Sequence, residues 1–334
     1  MTILGIETSC DETAVSLLRV EDGVFTLEKN LVSSQIAIHA PHGGVVPEVA
    51  AREHVATISH LLKEALGDTR PDAIAVTGGP GLVTSLLVGV QAAKTLSAAW
   101  NIPLVRVNHI EAHLLANWLE NPALSFPALG LVVSGGHTEL VLMHEPGSYE
   151  LIGRTRDDAV GECFDKAAKL LGLGYPGGPE IAKRTLEGNP KAIDLPRPMM
   201  HSNDFDFSFS GLKTAVLYLT PEQKQNIADV SASFQQAVID VLISKTLKAA
   251  SQYDIRSIVF GGGVMANKEL RSQMKMMIES KLSHLTHQFP GNYACTDNAA
   301  MIAAAGYFHM QKGDTIDWKN LDADPNWEIE HVTY

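Results

Sequence analysis

The chain has 334 residues, of which 45% are hydrophobic, and it carries a formal net charge of −12 at pH 7. This length is more than one hydrophobic core usually serves and predicts two domains, and the composition is not that of a disordered chain. The acidic balance excludes tight binding of a nucleic acid by bulk charge attraction alone.

The first third of the chain alternates between predicted strands and helices. Apolar and β-branched runs between turn residues predict strands, and an apolar period near 3.6 residues predicts helices. In chain order we predict strands at Thr2–Thr8, Ala14–Val20 and Val24–Ser33, a helix at Pro47–Leu66, a strand at Ala73–Thr77, a helix at Thr84–Trp100, a strand at Leu104–Val107 and a helix capped by Asn108. This alternation indicates the α/β class.

Three features predict a cytoplasmic protein with no membrane span. The opening MTILGIETSC lacks the basic region of a signal peptide. No apolar run reaches the ~20 residues that span a bilayer. Cys10, Cys163 and Cys295 lie too far apart for a cysteine-based zinc finger and are typical of reduced cytosolic thiols.

An internal repeat is the most informative feature of the sequence. LGIETSCDETAVSLL at 4–18 and LGLVVSGGHTELVLM at 129–143 align without gaps, with five identities and matching hydrophobic positions. Each copy reads as strand, polar turn, strand, so the repeat predicts two similar domains that face each other across a cleft. Chance similarity between two short hairpins is the alternative.

Turns rich in glycine and serine suggest where a phosphate binds. Free backbone N–H groups in such a turn form an anion-binding nest. The segment IVFGGGVMANKELR at 258–271 adds a buried strand, a triple-glycine turn and a helix, an arrangement that lets backbone approach an anionic ligand. Together these turns favour a nucleotide or an acyl phosphate as ligand.

The motif NHIEAH places two histidines four residues apart on a predicted helix. His109 and His113 share one face and can bind a single metal ion. In the protease motif H-E-x-x-H the glutamate follows the first histidine directly, whereas Glu111 is two residues on and points away from that face. We therefore expect Glu111 to lie on the helix surface or to support the site without binding the ion. An ordinary pair of histidines is the alternative to a metal site.

A third metal ligand is available near the C-terminus. Asp297 precedes a helix of small residues, CTDNAAMIAAAGYFHM. The position also suits a helix N-cap, and the residues alone do not bring Asp297 to His109.

Nine motifs in order resemble one known family. They read IETSCDETA, GGVVPEVAAREH, TGGPGL, NHIEAH, VSGGHTEL, DDAVGECFDKAAKLLGLGYPGGP, DFSFSGLKTA, GGGVMAN and CTDNAAMIAAAG, and they run from about residue 2 to residue 306. Together they resemble the TsaD family, the catalytic subunit of bacterial tRNA threonylcarbamoyladenosine synthesis. The resemblance implies the two-domain α/β fold of actin, Hsp70 and sugar kinases, with duplicated β-hairpin domains facing a central cleft. We place the domains at residues 1–120 with 297–334 and at 121–296.

The resemblance also implies site residues. It assigns His109, His113 and Asp297 to one divalent metal ion, Fe²⁺ in preference to Zn²⁺. It implies contacts to threonylcarbamoyl-adenylate from eight positions: Val132, Val133, Ser134, Gly135, Gly136, Asp165, Gly178 and Asn267.

The implied reaction moves a threonylcarbamoyl group from its adenylate to N6 of adenosine 37 in tRNA, and it releases AMP. Asp11 in the first hairpin turn is the candidate that accepts the N6 proton or orients the base, and Glu12 and Glu7 can share this role. An Asx-turn is the alternative for Asp11. Cys10 is expected to be a small buried residue, not a nucleophile. The implied partners are tRNA, the paralogue TsaB and the ATPase TsaE. The helix at Pro47–Leu66 is a candidate for docking TsaB, with ordinary packing within the domain as the alternative.

Two departures from the family pattern weaken single contacts. Ala182 stands where many relatives have an acidic residue, which puts a ribose contact in doubt, and Asn326 replaces an arginine that can meet RNA. Six basic residues are candidates for an RNA path or for a solvated face: Lys166, Lys169, Lys183, Arg184, Lys191 and Arg197. Two other functions compete, a metalloprotease of the O-sialoglycoprotein endopeptidase type and an ATPase or kinase of the same fold.

Overall fold

The computed structural model describes residues 1–122, 124–332 and 334. The strands are β1 (Thr2–Glu7), β2 (Glu12–Glu21), β3 (Val24–Ser34), β4 (Ala73–Gly79), β5 (Leu104–Asn108), β6 (Ala128–Val133), β7 (Thr138–Glu145), β8 (Ser148–Arg154), β9 (Ser257–Gly261) and β10 (Thr286–Gln288). The helices are α1 (Ile36–His39), α2 (Pro47–Leu66), α3 (Val83–Trp100), α4 (His109–Leu115), α5 (Val160–Leu170), α6 (Gly177–Thr185), α7 (Ser210–Leu217), α8 (Pro221–Gln225), α9 (Ile227–Gln252), α10 (Lys268–Lys281), α11 (Asn292–Cys295) and α12 (Ala299–Lys312). Short 3-10 turns lie at Ala40–His42, Ala116–Leu119, Gly263–Ala266 and Ile329–His331.

The strands form two sheets with the same topology. The first has the order β3-β2-β1-β4-β5, and the second, taken from its far edge, has the order β8-β7-β6-β9-β10. In each sheet an antiparallel hairpin leads into parallel strands. Gly5 pairs with Ser16 and Gly130 pairs with Val141, so the two hairpins keep one register at the predicted separation. The duplicated hairpin is confirmed, and chance similarity is wrong.

Burial explains why the central strands read as continuous apolar runs. Every residue of β4, β6 and β9 is buried. Strands that are covered on both faces show this pattern, whereas a strand with one solvated face alternates. The covering helices include α3 and α12 on the first sheet and α9 on the second.

Small residues let α12 approach the first sheet very closely. A Cβ atom on Gly5 of β1 would lie 2.2 Å from the backbone oxygen of Ala299, and one on Gly306 would lie 2.4 Å from Cβ of Ala75. In the second sheet, a Cβ on Gly130 would lie 2.5 Å from Cδ2 of Leu114 on α4. Glycine at these three positions therefore sets how near the helices lie to the strands.

The predicted elements agree with the structure apart from their ends. The first strand ends at Glu7 and the second begins at Glu12, so Glu12 belongs to a strand and the turn spans residues 8–11. Within the described residues, α9 has the length and apolar composition to cross a bilayer, with a mean hydropathy of 1.2, but 67% of that stretch is buried. Core helices of soluble proteins pass the same test, so α9 is weak evidence for a membrane span.

Candidate active site

The helix that carries the two histidines begins directly after a buried strand. The side chain of Asn108 at the end of β5 accepts hydrogen bonds from the backbone N–H groups of Ile110 and Glu111, at 2.9 and 3.3 Å. This confirms the predicted N-cap, a type of contact that contributes about 1 kcal/mol. One turn apart, the imidazole rings of His109 and His113 lie 4.7 Å from each other between centroids.

Asp297 joins the two histidines across 184 residues of sequence. Its Oδ1 atom lies 3.1 Å from Nε2 of His113 and 3.4 Å from Nε2 of His109. The three potential ligand atoms lie within 4.8 Å of one another. The N-cap alternative for Asp297 is wrong, because the side chain of Asn298 caps α12 by accepting from the N–H of Met301.

Glu7 lies behind His109 and fixes its tautomer. Oε2 of Glu7 is 3.0 Å from Nδ1 of His109 and accepts a 2.6 Å hydrogen bond from the hydroxyl of Thr77. With Nδ1–H held by this buried carboxylate, Nε2 of His109 is free to face Asp297. The sequence suggested Glu7 only as a possible proton acceptor, and this orienting contact was missed.

Electrostatics in the cluster favour a charged network. Burial opposes the charge on Asp297, but His109 and His113 outweigh it and hold the pKa of that carboxyl well below its usual range. Burial also disfavours the His109 imidazolium, yet Asp297 and Glu7 raise its pKa well above the ordinary value. For His113 burial wins and lowers the pKa. Two imidazoles and a carboxylate with open positions beside them are a donor set that suits Fe²⁺ or Zn²⁺.

Glu111 points away from the two histidines, as predicted, but it does not lie on the surface. Its side chain is fully buried and contacts Tyr149, His309 and Tyr334. The helix-surface interpretation of Glu111 is therefore wrong.

The second hairpin turn presents two exposed glycines. The backbone of Ser134 donates to the carbonyl of His137 at 2.8 Å, and its hydroxyl accepts from the N–H of His137 at 3.1 Å, which closes the turn. A Cβ on Gly135 or Gly136 would meet no atom within 4 Å. Among the described residues nothing requires glycine at these two positions, and the open space leaves the backbone accessible to a ligand.

The N-terminus of α5 adjoins this turn. The N–H of Gly161 donates to the carbonyl of Ser134 at 3.1 Å, and a Cβ on Gly161 would lie 2.7 Å from Cα of Gly135. A helix N-terminus carries partial positive charge, so it adds to the attraction that the turn has for an anion. The preceding Val132 and Val133 are buried in β6 and support the turn.

Asp165 on α5 contacts the first turn of α6, which contains Gly178. Oδ1 of Asp165 accepts from the N–H of Gly177 at 2.6 Å. Burial raises the pKa of Asp165 to about 6, and the charge of Asp11 adds to the effect, so the first hairpin turn lies near α5 across the cleft. A Cβ on Gly178 would also meet open space.

The triple-glycine turn serves packing as well as ligand access. A Cβ on Gly261 would lie 2.8 Å from the carbonyl of His113, and one on Gly262 would lie 2.4 Å from that of Val133. Close packing against α4 and β6 thus requires glycine at these two positions, and the approach of a ligand to the turn stays a prediction. Asn267 caps α10 and donates to Oε1 of Gln235 at 2.7 Å. Its proposed contact to adenylate stays a prediction.

The first hairpin turn is acidic and is held from α2. Nε2 of His54 bonds to the carbonyl of Cys10 at 3.0 Å, and Nδ1 lies 2.7 Å from the hydroxyl of Thr13. Burial, with the charges of Asp297 and Asp11, raises the pKa of Glu12 to about 9. In the described parts of the chain no backbone N–H of the turn donates to the Asp11 carboxylate, which argues against an Asx-turn.

Two further side chains bear on the site. Cys10 is half-buried, and burial with the Asp11 charge raises the pKa of its thiol well above the ordinary value, so it is a poor nucleophile. Burial, reinforced by the charge of His109, lowers the pKa of His137 to about 4. His137 thus presents a neutral imidazole near the cluster, and no motif spacing in the sequence pointed to it.

Three of the six candidate RNA-binding cations are paired within the protein. Lys166 bonds to Asp158 at 2.7 Å, Lys183 to Glu180 at 2.5 Å, and Arg197 to Asp240 at 2.8 Å. These pairs favour the interpretation of the stretch as a solvated face.

Comparison with known proteins identifies the family. A family model described as TsaD, tRNA N6-adenosine threonylcarbamoyltransferase, matches residues 26–304. A relative with this description from Dehalococcoides mccartyi is 52% identical over 331 residues, which cover 97% of this chain and 98% of the relative. Another, from Thermotoga neapolitana, is 50% identical and covers 98% of this chain and 100% of the relative.

Solved structures support the fold at low sequence identity. Full-length HypF in its phosphate- and nucleotide-bound form has a TM-score of 0.61 at 14% identity, over 94% of this chain and 47% of HypF. Component A of the (R)-2-hydroxyglutaryl-CoA dehydratase from Acidaminococcus fermentans has a TM-score of 0.52 at 13% identity, over 92% of this chain and 97% of that one.

The fold and the metal-ligand cluster together define the general class of this protein. The protein has the two-domain α/β fold of actin, Hsp70 and sugar kinases, as predicted, with a His–His–Asp cluster beside the cleft. Within that class, the chain belongs to the TsaD family.

Proposed function

We propose that this protein transfers the threonylcarbamoyl group of L-threonylcarbamoyladenylate to N6 of adenosine 37, in tRNAs that read codons beginning with adenine. The products are t6A in tRNA and AMP. The proposal is carried by identity of 50% and more, over nearly the whole chain, to relatives described as tRNA N6-adenosine threonylcarbamoyltransferase. The cluster, the glycine turn and the acidic turn all support this chemistry.

His109, His113 and Asp297 would hold one divalent ion, Fe²⁺ in preference to Zn²⁺, through Nε2, Nε2 and a carboxylate oxygen. When bound, such an ion supplies Lewis acidity toward a carbamoyl or threonyl oxygen. Glu7 keeps the His109 tautomer that presents Nε2 to this position.

The second hairpin turn binds the adenylate in this proposal. The backbone N–H groups of Gly135 and Gly136, with the N-terminus of α5, stabilise the negative charge of departing AMP. Ser134 closes the turn and thereby holds the N–H groups in place. We assign further contacts with the adenylate to Val132, Val133, Asp165, Gly178 and Asn267.

Proton transfer falls to the first hairpin turn. Adenine N6 is a weak nucleophile because its lone pair is delocalised into the ring, and it must lose a proton as the new bond forms. We assign Asp11 as the group that accepts this proton or orients the base. Burial, with the charges of Asp297 and Asp11, raises the pKa of Glu12 to about 9, so this side chain suits a hydrogen-bond donor to the substrate.

We also propose the assembly in which the reaction takes place. The partners are tRNA, the paralogue TsaB, docked on α2, and the ATPase TsaE, all in the cytoplasm. The domains comprise residues 1–120 with 297–334 and residues 121–296. Packing of α12 on β1, β2 and β4 supports the assignment of the C-terminal helix to the first domain.

A reconstitution tests the function. Purified protein, TsaB, TsaE, threonylcarbamoyl-adenylate and unmodified tRNA are combined, and the nucleosides are analysed by mass spectrometry. We expect t6A with native tRNA and none with tRNA that carries guanosine at position 37. Cleavage of a glycosylated peptide without t6A would establish the endopeptidase alternative, and ATP-dependent phosphorylation without t6A would establish the kinase.

A further inference from the structure

Helix α4 is held on two faces by different chemistry. One face carries His109 and His113, and the opposite face carries the buried carboxylate of Glu111. Oε1 of Glu111 accepts a 2.7 Å hydrogen bond from the hydroxyl of Tyr149 and another from that of Tyr334. Oε2 lies 3.0 Å from Nε2 of His309. We call these four residues, Glu111, Tyr149, His309 and Tyr334, the α4 clamp.

Two polar members of the clamp, Glu111 and His309, are closed to solvent. Glu111 has no exposed surface, and the His309 side chain, which also contacts Asp314 at 2.5 Å, is 2% exposed. The ring of Tyr334 packs against that of His309, with 4.0 Å between centroids and an interplanar angle of 44°. A carboxylate without solvent must keep its donors, so the clamp holds Glu111 in one position.

The partners of Glu111 come from distant parts of the chain. Tyr149 lies on β8 of the second sheet, His309 on α12, and Tyr334 in the segment after the last helix. This same C-terminal segment reaches the cap of α4, because Nδ2 of Asn108 donates to the carbonyl of Trp327 at 3.0 Å. Both the start and the back of α4 are therefore fixed from outside the helix.

Position on such a short helix determines where the histidine nitrogens point. Helix α4 has seven residues, so a rotation about its axis turns His109 and His113 together. Ligand geometry tolerates misorientation of only about 10–20°. A contact that fixes rotation of α4 thus acts on both nitrogens at once.

We propose that Glu111 is a positioning residue, which through the α4 clamp sets the rotation of α4 and so the convergence of His109, His113 and Asp297 on a metal ion. This inference rests on the metal site of the proposed function. Glu111 bonds to none of the three ligand side chains, and its effect passes through the helix backbone.

The test measures metal affinity and stability separately in the full-length protein. The variants are Glu111→Gln, Tyr334→Phe and Tyr149→Phe, and Co²⁺ is titrated in competition with a chromophoric chelator, with its visible spectrum recorded. We expect Glu111→Gln to weaken Co²⁺ binding about 10–100-fold, the range for groups that orient ligands from outside the coordination shell. Each tyrosine variant removes one donor and should weaken binding less, in the same direction, with an altered Co²⁺ spectrum.

Asp157→Asn is the matched control. Asp157 is a carboxylate that accepts from the hydroxyls of Ser208 and Ser210 and from the N–H of Phe209, away from α4. This control should lower the melting temperature and leave Co²⁺ affinity and spectrum unchanged.

Native Co²⁺ affinity and spectrum in folded Glu111→Gln, or in both tyrosine variants if the glutamine variant does not fold, would overturn the proposal. His109→Ala separates this result from failure of the metal site itself. If His109→Ala also binds Co²⁺ as the native protein does, the ligand assignment is wrong, and the positioning role is overturned with it.

Discussion

The turns at residues 8–11 and 134–137 connect hairpins with the same register, yet their side chains differ in kind. The first turn is flanked by the carboxylates Glu7 and Glu12 and contains Asp11. The second has exposed glycines and the neutral imidazole of His137. Equivalent hairpins thus present acidic side chains on one side of the cleft and, on the other, exposed glycines that we propose as the anion site. The two halves therefore differ in the side chains of their hairpin turns and not in the architecture of their sheets.

Loss of a metal ligand on the first side of the cleft should have the largest effect on activity. We expect His109→Ala and His113→Ala to remove the metal and to lower t6A formation more than about 100-fold, beyond the range for orienting residues. Metal content by elemental analysis and t6A by mass spectrometry measure the two effects, with circular dichroism to confirm the fold. Full activity and native metal content in both variants would refute the site.

Gly136→Val tests the second turn alone. A Cβ at this position meets only open space within the protein, so the variant should fold, but its side chain occupies the space into which the phosphate must fit. We expect calorimetric affinity for AMP or a non-hydrolysable adenylate to fall by about 100-fold. Gly211→Val is the control, because its Cβ would contact only Pro198, at 3.6 Å. Unchanged affinity in folded Gly136→Val would exclude this turn as the phosphate site.

Glu7→Gln tests whether the acidic residues beside the first hairpin turn orient the metal ligands. Glutamine keeps the size of Glu7 but loses the charge that holds Nδ1–H of His109. We expect metal affinity to fall about 10–100-fold while adenylate affinity at the second turn stays native. Equal losses of both affinities would show that the two sides are not independent.

The smallest expected effect is a pH dependence of the unfolding free energy, caused by His309. Burial opposes the charge on His309, but Glu111 and Asp314 outweigh it and raise its pKa to about 9. Since histidine in an unfolded chain titrates near 6.5, this contribution is complete below that pH and is lost as pH rises through about 9. We expect the unfolding free energy to fall on the order of 3 kcal/mol over this window. Urea titrations at several pH values measure it, and the decline should be absent in His309→Gln; an equal decline there would assign it to other groups.

The sequence predicted what local patterns determine. Hydrophobic alternation and turn residues located the hairpins, and the repeat located both sides of the cleft before any contact was known. The spacing of His109 and His113 predicted their common face, because helix geometry is fixed over four residues. Proline at the first turn predicted the start of the helix Pro47–Leu66, and both predicted ends agree with the structure.

Long-range partners could not be predicted from these patterns. Glu7 and His109 are 102 residues apart, and Glu111 and His309 are 198 apart. Periodicity reports which face of an element is buried but not which distant side chain it meets. Asp297 illustrates the limit: it and Asn298 are equally good caps by residue type, and only the packing of α12 decides between them.

Gly5 and Gly130 occupy equivalent positions in the two repeats, and each allows a different helix to pack closely on its strand. Ala299 of α12 sits over the first, and Leu114 of α4 sits over the second. Helix α12 follows Asp297, and helix α4 carries His113. The spacing of the donor atoms therefore depends on how closely these two helices approach Gly5 and Gly130. A methyl group at Gly5 or Gly130 would change the distances between the metal-ligand atoms without altering any of the ligands. The repeated hairpin thus supports both helices, and the coordination geometry depends in part on how closely they pack on it.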